Sequence, residues 1–160
     1  MGERWAGLVA AGQSVIVVGA EIPDDPADPI IITYDQTWSV QKGNRAAAYA
    51  IIHQQCLNHL SGCKVDKVFI KASATSRAGM GKAHLEGAEV RGVVAAAASA
   101  VPNVRSVEMV AQAQISKHYG NRKVEEYVKD GKFWAEKTTG GTLRAGSRVG
   151  AMILIAERAK

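Results

Sequence analysis

The stretch that most constrains this fold is SVIVVGAEI, residues 14–22, a continuous run of β-branched and small apolar residues. A strand that is apolar throughout is typically buried on both faces, which requires helices on both sides of its sheet. Four further segments predict strands: IIITYD and TWSVQ, joined as a hairpin around Asp35 and Gln36, and then DKVFIKA and SVEMV. The sequence therefore predicts an α/β fold built around a sheet.

Helical patterns alternate with the later strands. Residues 44–60 have an apolar face and a plausible N-cap at Asn44, residues 83–101 form a long alanine-rich pattern that ends at Pro102, and residues 147–160 form a closing helix with Ser147 as its candidate cap. Consecutive strands pair antiparallel, whereas strands separated by helices are usually parallel. We therefore expect a five-stranded mixed sheet, a three-strand antiparallel meander plus parallel strands, flanked by helices in a single domain over residues 1–160 with its core at about 14–158.

Composition narrows the class of partner. The 160 residues carry a formal net charge of +5, and a basic balance favours an anionic partner such as nucleic acid. The two cysteines, Cys56 and Cys63, form neither a CxxC nor a CxxH pattern, which indicates reduced thiols. No apolar run reaches the roughly 18 residues of a membrane span. These features predict a soluble cytoplasmic protein with no membrane association.

The long helix and the segments after it carry a family resemblance. LEGAEVRGVVAAAAS precedes the SVEMV strand, and QAQISKHYGNRK and RVGAMILIAERA follow it. With the Arg91-Gly92 pair in the helix, this order resembles the RuvC-type Holliday-junction resolvases of the ribonuclease H-like superfamily. GAEI and VDKVFIKASATSRAGMGKAHLEGAE are also similar to a small uncharacterised bacterial family of shortened RuvC-like proteins with glutamate in the first strand. The resemblance implies a ribonuclease H-like fold.

The resemblance also implies where catalytic carboxylates should stand. In this superfamily, Asp and Glu side chains surround two divalent ions that activate water at a phosphodiester. The first-strand acid falls on Glu21, but the fourth-strand position holds Lys71 or Ala72, and the last-helix positions lie near Ser147 and Arg148. We therefore expect no metal site and no cofactor, with Mg²⁺ required only if nuclease activity remains. Glu21 is the sole catalytic candidate, and it is expected to face Lys71 and Arg148.

Basic residues concentrate late in the chain and in the glycine-bearing loop before the long helix. Tyr119, Tyr127, Phe133 and Trp134 are interleaved with them, either as platforms for base stacking or as ordinary core residues. The residues that we predict to contact nucleic acid are Lys71, Arg77, Lys82, Lys117, Arg122, Lys123 and Arg148.

These observations favour a RuvC-like pseudo-nuclease that acts by binding nucleic acid, DNA rather than RNA. By analogy with the family we also expect a homodimer, joined through an apolar face of the alanine-rich helix at Val93, Val94 and Val101. Two alternatives stay open: an active, Mg²⁺-dependent, structure-specific endonuclease that uses Glu21, and a scaffold or inhibitor that binds a protein through the exposed edge of the hairpin.

Overall fold

The central strand of the sheet lies earlier in the chain than the sequence indicates. The computed structural model describes residues 2–72 and 81–160. In these residues β1 spans Glu3–Ala10, pairs antiparallel with β2 (Ser14–Ile22) and pairs parallel with β4 (Lys67–Lys71). The pattern ERWAGLVA gave no prediction of a strand, since alanine and glycine have low strand propensity. Its burial between β2 and β4 makes it the centre of the sheet.

The described residues form a mixed six-stranded sheet with the strand order β5-β4-β1-β2-β3-β6. The mixed character of the sheet is confirmed, but the predicted count of five strands is wrong. Its antiparallel meander consists of β1, β2 and β3, and parallel pairs join β1 to β4, β4 to β5 and β3 to β6. The remaining strands are β3 (Ile30–Ser39), β5 (Ser106–Val110) and β6 (Thr138–Thr139).

The predicted hairpin at Asp35 and Gln36 is wrong, because both residues lie inside the single strand β3. The register between β2 and β3 shifts at Gly19 and Ala20, and pairing continues on both sides of that irregularity. Neither Asp35 nor Gln36 supplies the glycine or proline that a tight turn favours. The Asp35 carboxylate is instead held by two residues of the last helix.

Helices cover both faces of the sheet. Against one face pack α1 and α2, with Ile52 and Val94 among their fully buried side chains. Against the other face packs α6, together with α3, α4 and α5. The bounds are α1 Arg45–Gly62, α2 Lys82–Ser99, α3 Gln112–His118, α4 Val124–Lys129, α5 Gly131–Lys137 and α6 Ala145–Arg158.

The helix predictions hold with two corrections. Asn44 caps α1 as expected, since its side chain accepts a hydrogen bond from the backbone N–H of Ala47. Ser147 does not cap α6; the helix begins at Ala145, and Ser147 is fully buried in its first turn. The prediction that Val94 and Val101 form a dimer face is also wrong. Both side chains are buried in the core beneath α2, with 0% and 2% of their surface exposed. None of the described helices is long and apolar enough to cross a bilayer.

One close backbone contact fixes the position of α6 on the sheet. A Cβ atom at Gly7 of β1 would lie 2.5 Å from the carbonyl oxygen of Gly150, so any larger residue at Gly7 would push α6 away. Gly146, one turn earlier in α6, lies over Ile16 of β2, where a Cβ atom would be 3.0 Å from the Ile16 Cδ1. The first turn of α6 therefore lies close to the end of β1.

We expect Gly7→Ala to lower the free energy of unfolding by about 1–3 kcal/mol, because the added methyl group overpacks the contact with α6. Gly92→Ala is the matched control: Gly92 is exposed in α2 with open space around its Cα, so alanine should raise the free energy of unfolding by about 0.5–1 kcal/mol. Urea denaturation measures both values. Equal stability of Gly7→Ala and the wild-type protein would contradict the close contact.

Candidate functional site

The parallel strands β1 and β4 end side by side. Leu8 pairs with Ile70, so the next residues, Val9 and Lys71, lie level with each other at the carboxyl ends of the two strands. The first turn of α6 lies close to this end of the sheet. We call this region the carboxyl edge; it comprises Ala10, Ala11, Lys71, Ala72 and the start of α6 at residues 144–148.

The carboxyl edge contains no carboxylate at the positions where the predicted fold would hold catalytic acids. Because β1 is the first strand, Glu21 lies in the second strand, and the residues at the carboxyl end of β1 are Ala10 and Ala11, neither of which is an acid. The β4 end carries Lys71 and Ala72, and residues 144–148 contain two arginines and no acid.

These residues do not fit a pair of magnesium ions, which require oxygen ligands, chiefly carboxylates. Among the described residues no group of three or more His, Cys, Asp or Glu side chains could hold a metal ion. The adjoining residues 73–80 contain none of these four residue types. The charged groups at this edge, the Lys71 ammonium and the guanidinium groups of Arg144 and Arg148, are not ligands for magnesium.

One carboxylate, that of Asp35 in β3, reaches the start of α6, where it accepts hydrogen bonds from two protein side chains. Its Oδ1 accepts hydrogen bonds from the Ser147 hydroxyl at 2.5 Å and from Arg144 Nη2 at 2.7 Å. Burial alone would raise the pKa of Asp35, but the bonds from Arg144 and Ser147 outweigh it and hold the pKa below its ordinary value. Asp35 and Arg144 were missed as site residues, since nothing in the sequence pairs positions 109 residues apart.

Glu21 lies far from the carboxyl edge. It pairs with Arg4 across β1 and β2, whereas Lys71 is level with Val9, five residues further along β1. At 3.3 Å per residue this separates Glu21 from Lys71 by about 16 Å along the sheet. Their side chains also point to opposite faces, because Ala20 and Ile22 pack on the α6 side and Ile70 packs on the α1 side. The expectation that Glu21 faces Lys71 and Arg148 is therefore wrong.

Two of the predicted basic residues, Lys71 and Lys123, lie together near Glu125 at the start of α4. The pKa of Glu125 is lowered, first by hydrogen bonds from its own backbone N–H and from Gln112, and then by the charges of Lys123 and Lys71. The charges of Lys71 and Lys123 therefore act on the same carboxylate, and a second carboxylate, that of Glu126, accepts a hydrogen bond from the Lys123 backbone N–H. An open depression of about 540 Å³ runs between α3 and α4, with Lys123 among its lining residues.

Arg122 and Arg148 are engaged within the protein. Arg122 forms an ion pair with Asp130, with 2.9 Å between Nη1 and Oδ2, and its guanidinium lies over the Tyr127 ring. Arg148 donates a hydrogen bond to the Val128 carbonyl oxygen at 2.8 Å and faces Trp134. Arg148 is therefore directed at α4 and α5 rather than at Lys71.

The other predicted contact residues are spread over the surface near the ends of helices. Lys82 is exposed as the first residue of α2, and Lys117 is exposed in the last turn of α3. Arg77 lies outside the described residues.

The turn between β1 and β2 is held by a basic residue that the sequence did not indicate. Arg45 of α1 donates a hydrogen bond from Nη2 to the Gly12 carbonyl oxygen at 3.0 Å and forms an ion pair with Glu86 of α2 at 2.8 Å. The turn packs against α2 and forms one wall of a depression of about 330 Å³, where His84 and Arg91 form the other. Arg91 of the Arg91-Gly92 pair therefore lies beside the carboxyl edge.

The aromatic residues after β5 belong mainly to the core. Tyr127 and Trp134 are 5% and 4% exposed, and Tyr119 and Phe133 pack against them at the edge of the same cluster. Ring centroids of Tyr127 and Phe133 lie 4.9 Å apart. Of the two alternatives for Tyr127 and Trp134, core packing is confirmed and base stacking is not available to them.

Comparison with solved structures identifies the fold. RuvC of Thermus thermophilus in complex with a Holliday junction substrate superposes with a TM-score of 0.75 at 12% sequence identity, covering 98% of this chain and 93% of that one. A second T. thermophilus RuvC structure gives 0.72 at 14% identity, covering 97% and 95%. The yeast mitochondrial Holliday junction resolvase Ydc2 gives 0.68 at 11% identity, covering 98% and 78%.

The chain therefore has the RuvC-like, ribonuclease H-like fold, as its sequence motifs predicted. No family model and no curated protein sequence matches the chain. At this level of identity the shared property is the fold, and the similarity assigns no role to the residues at the carboxyl edge.

We expect Asp35→Asn to lower the free energy of unfolding at pH 7 by about 1–2 kcal/mol, because the bonds from Arg144 and Ser147 lose their charge assistance. The folded-state pKa of Asp35 is depressed, so this contribution is present above the unfolded pKa of about 3.9 and is lost as the pH falls through the folded pKa. Urea denaturation of both proteins from pH 7 to pH 2.5 measures the difference. A difference that is constant over this range would contradict the ion pair.

Proposed function

We propose that this chain binds nucleic acid at the carboxyl edge and does not hydrolyse it there by two-metal chemistry. The observation that carries this proposal is the residue set at that edge: Lys71 supplies a cation there, Lys123 lies nearby, and Ala10, Ala11, Ala72 and residues 144–148 supply no carboxylate. A phosphate backbone is bound by ammonium and guanidinium groups without a metal ion. The same surface therefore suits phosphate contact and does not suit catalysis.

The overall charge and the structural similarity both support nucleic acid as the anion. The net charge of +5 provides long-range attraction to a polyanion. The T. thermophilus RuvC that superposes on 98% of this chain was solved with a Holliday junction substrate. For this chain we propose only the class of partner, DNA, contacted through Lys71, Lys123 and the neighbouring Arg91.

Because no ion is needed in this mode of binding, affinity is expected to be unchanged when EDTA replaces Mg²⁺ at constant ionic strength. Electrophoretic mobility shifts or fluorescence anisotropy with duplex, four-way-junction and single-stranded DNA, and with duplex RNA of the same sequence, measure the affinity. The logarithm of the affinity should fall linearly with the logarithm of salt concentration. Failure to bind any of these substrates at low salt would overturn the proposal.

The contribution of individual residues is measured by substitution. Lys71→Gln and Lys123→Gln should each weaken binding and reduce the salt slope by about one, and the double variant should reduce it by about two. Lys160→Gln is the matched control, because Lys160 lies beyond the far end of α6 and its ammonium pairs with Glu157. An equal effect of all three single substitutions would show that binding is not localised at the carboxyl edge.

Catalysis is tested separately with the same DNA substrates in Mg²⁺ and in Mn²⁺. We expect no cleavage, since the donors at the carboxyl edge do not hold divalent ions. Metal-dependent cleavage that disappears in Glu21→Ala would establish the endonuclease alternative and overturn the assignment of a non-catalytic site.

A further inference from the structure

A second cavity lies at the end of the sheet opposite to the carboxyl edge. It has a volume of about 280 Å³, its floor is formed by β1, β2 and β3, and its wall is formed by the end of α1. This is smaller than the roughly 300–1,000 Å³ of pockets that enclose drug-sized ligands, so it suits a small metabolite. The side chains that define it are Arg4, Glu21, Tyr34, Cys63 and Val65.

Two opposite charges line this cavity and are not paired with each other. Arg4 and Glu21 are direct register partners in the antiparallel pair of β1 and β2. Side chains at such positions start only about 5 Å apart, and opposite charges there usually interact. Among the ion pairs and hydrogen bonds of the described residues, none joins Arg4 to Glu21, and none involves the Glu21 carboxylate.

The Arg4 guanidinium is only partly used by the protein. Its Nη1 donates one hydrogen bond, to the Cys63 carbonyl oxygen at 3.4 Å. A guanidinium carries five N–H donors in a planar arrangement that matches a carboxylate. The exposed Arg4 side chain makes no other hydrogen bond among the described residues, so its remaining N–H donors can serve a ligand next to the Glu21 carboxylate.

The other side chains around the cavity are mainly apolar, apart from the buried Tyr34 hydroxyl, which has no hydrogen-bond partner among the described residues. The Tyr34 ring lies directly over Gly19, where any side chain would overlap it, and makes an edge contact with His59 at 4.4 Å between ring centroids. Val65 is 1% exposed and closes the cavity next to Cys63. A ligand that bridges Arg4 and Glu21 would therefore place its middle against an aromatic ring and an aliphatic side chain.

We propose that this cavity binds a small zwitterion, specifically an α-amino acid with an apolar side chain. The ligand carboxylate receives two hydrogen bonds from Arg4, its ammonium group pairs with Glu21, and its side chain packs against Tyr34 and Val65. The cavity is at the opposite end of the sheet from Lys71, so this proposal does not depend on nucleic-acid binding.

Isothermal titration calorimetry of the full chain with L-leucine and L-phenylalanine tests the proposal. We expect one saturable site, with binding weakened about tenfold or more when the ligand loses one charge, as in N-acetyl-L-leucine or L-leucinamide. Glu21→Gln should weaken L-leucine binding by a similar factor and remove the penalty for N-acetylation. Arg4→Gln should also weaken L-leucine binding and should remove the penalty for replacing the carboxylate by the amide in L-leucinamide. These pairings of variant and ligand distinguish direct charge contacts from a general loss of structure.

Two controls complete the test. Glu108→Gln removes an exposed carboxylate from the edge strand β5 and should leave binding unchanged. Cys63 lines the cavity whereas Cys56 is 0% exposed, so a bound amino acid should slow maleimide labelling of Cys63 with no effect on Cys56. If the folded protein binds neither amino acid at 20 mM, or binds the blocked derivatives equally well, the proposal is wrong.

Discussion

The contact between Gly7 and Gly150 is the constraint on which the rest of the structure depends. It allows the backbone of α6 to lie directly on the central strand, because neither residue carries a Cβ atom at the crossing. The position of α6 then brings its first turn to the end of β1 and places Ser147 within 2.5 Å of Asp35. A bulkier side chain at the crossing would raise the helix from the sheet and separate these residues.

The carboxyl edge contains an internal ion pair between Asp35 and Arg144. Asp35 lies close enough to α6 to serve as a ligand, yet its oxygens are occupied by Arg144 and Ser147. Lys71 at this edge and Lys123 at the nearby start of α4 both act on the carboxylate of Glu125 and lower its pKa. The chain thus has the RuvC-like fold and places a cationic side chain, Lys71, at the carboxyl end of β4.

The two ends of the sheet carry different side chains because neighbouring strands of the meander run in opposite directions. Glu21 lies near the end of the apolar strand β2. Because β2 is antiparallel to β1, the end of β2 lies beside the beginning of β1. This places Glu21 with Arg4 and Cys63 at a separate cavity. The sequence pattern does not predict β1, which makes β2 the first predicted strand and places Glu21 at the wrong end of the sheet.

The sequence by itself determined the fold class, the helices α1, α2 and α6, the strands β2, β4 and β5 and the lack of acids after β4 and at the start of α6. These follow from local periodicity, capping and residue type, which act over a few neighbouring positions. Only the tertiary structure decided that ERWAGLVA is the central strand, that β3 runs unbroken through Asp35 and that Glu21 and Lys71 lie at opposite ends. The physical reason is that burial between two strands overrides the weak strand propensity of alanine and glycine, and no local pattern records which distant segments provide that burial.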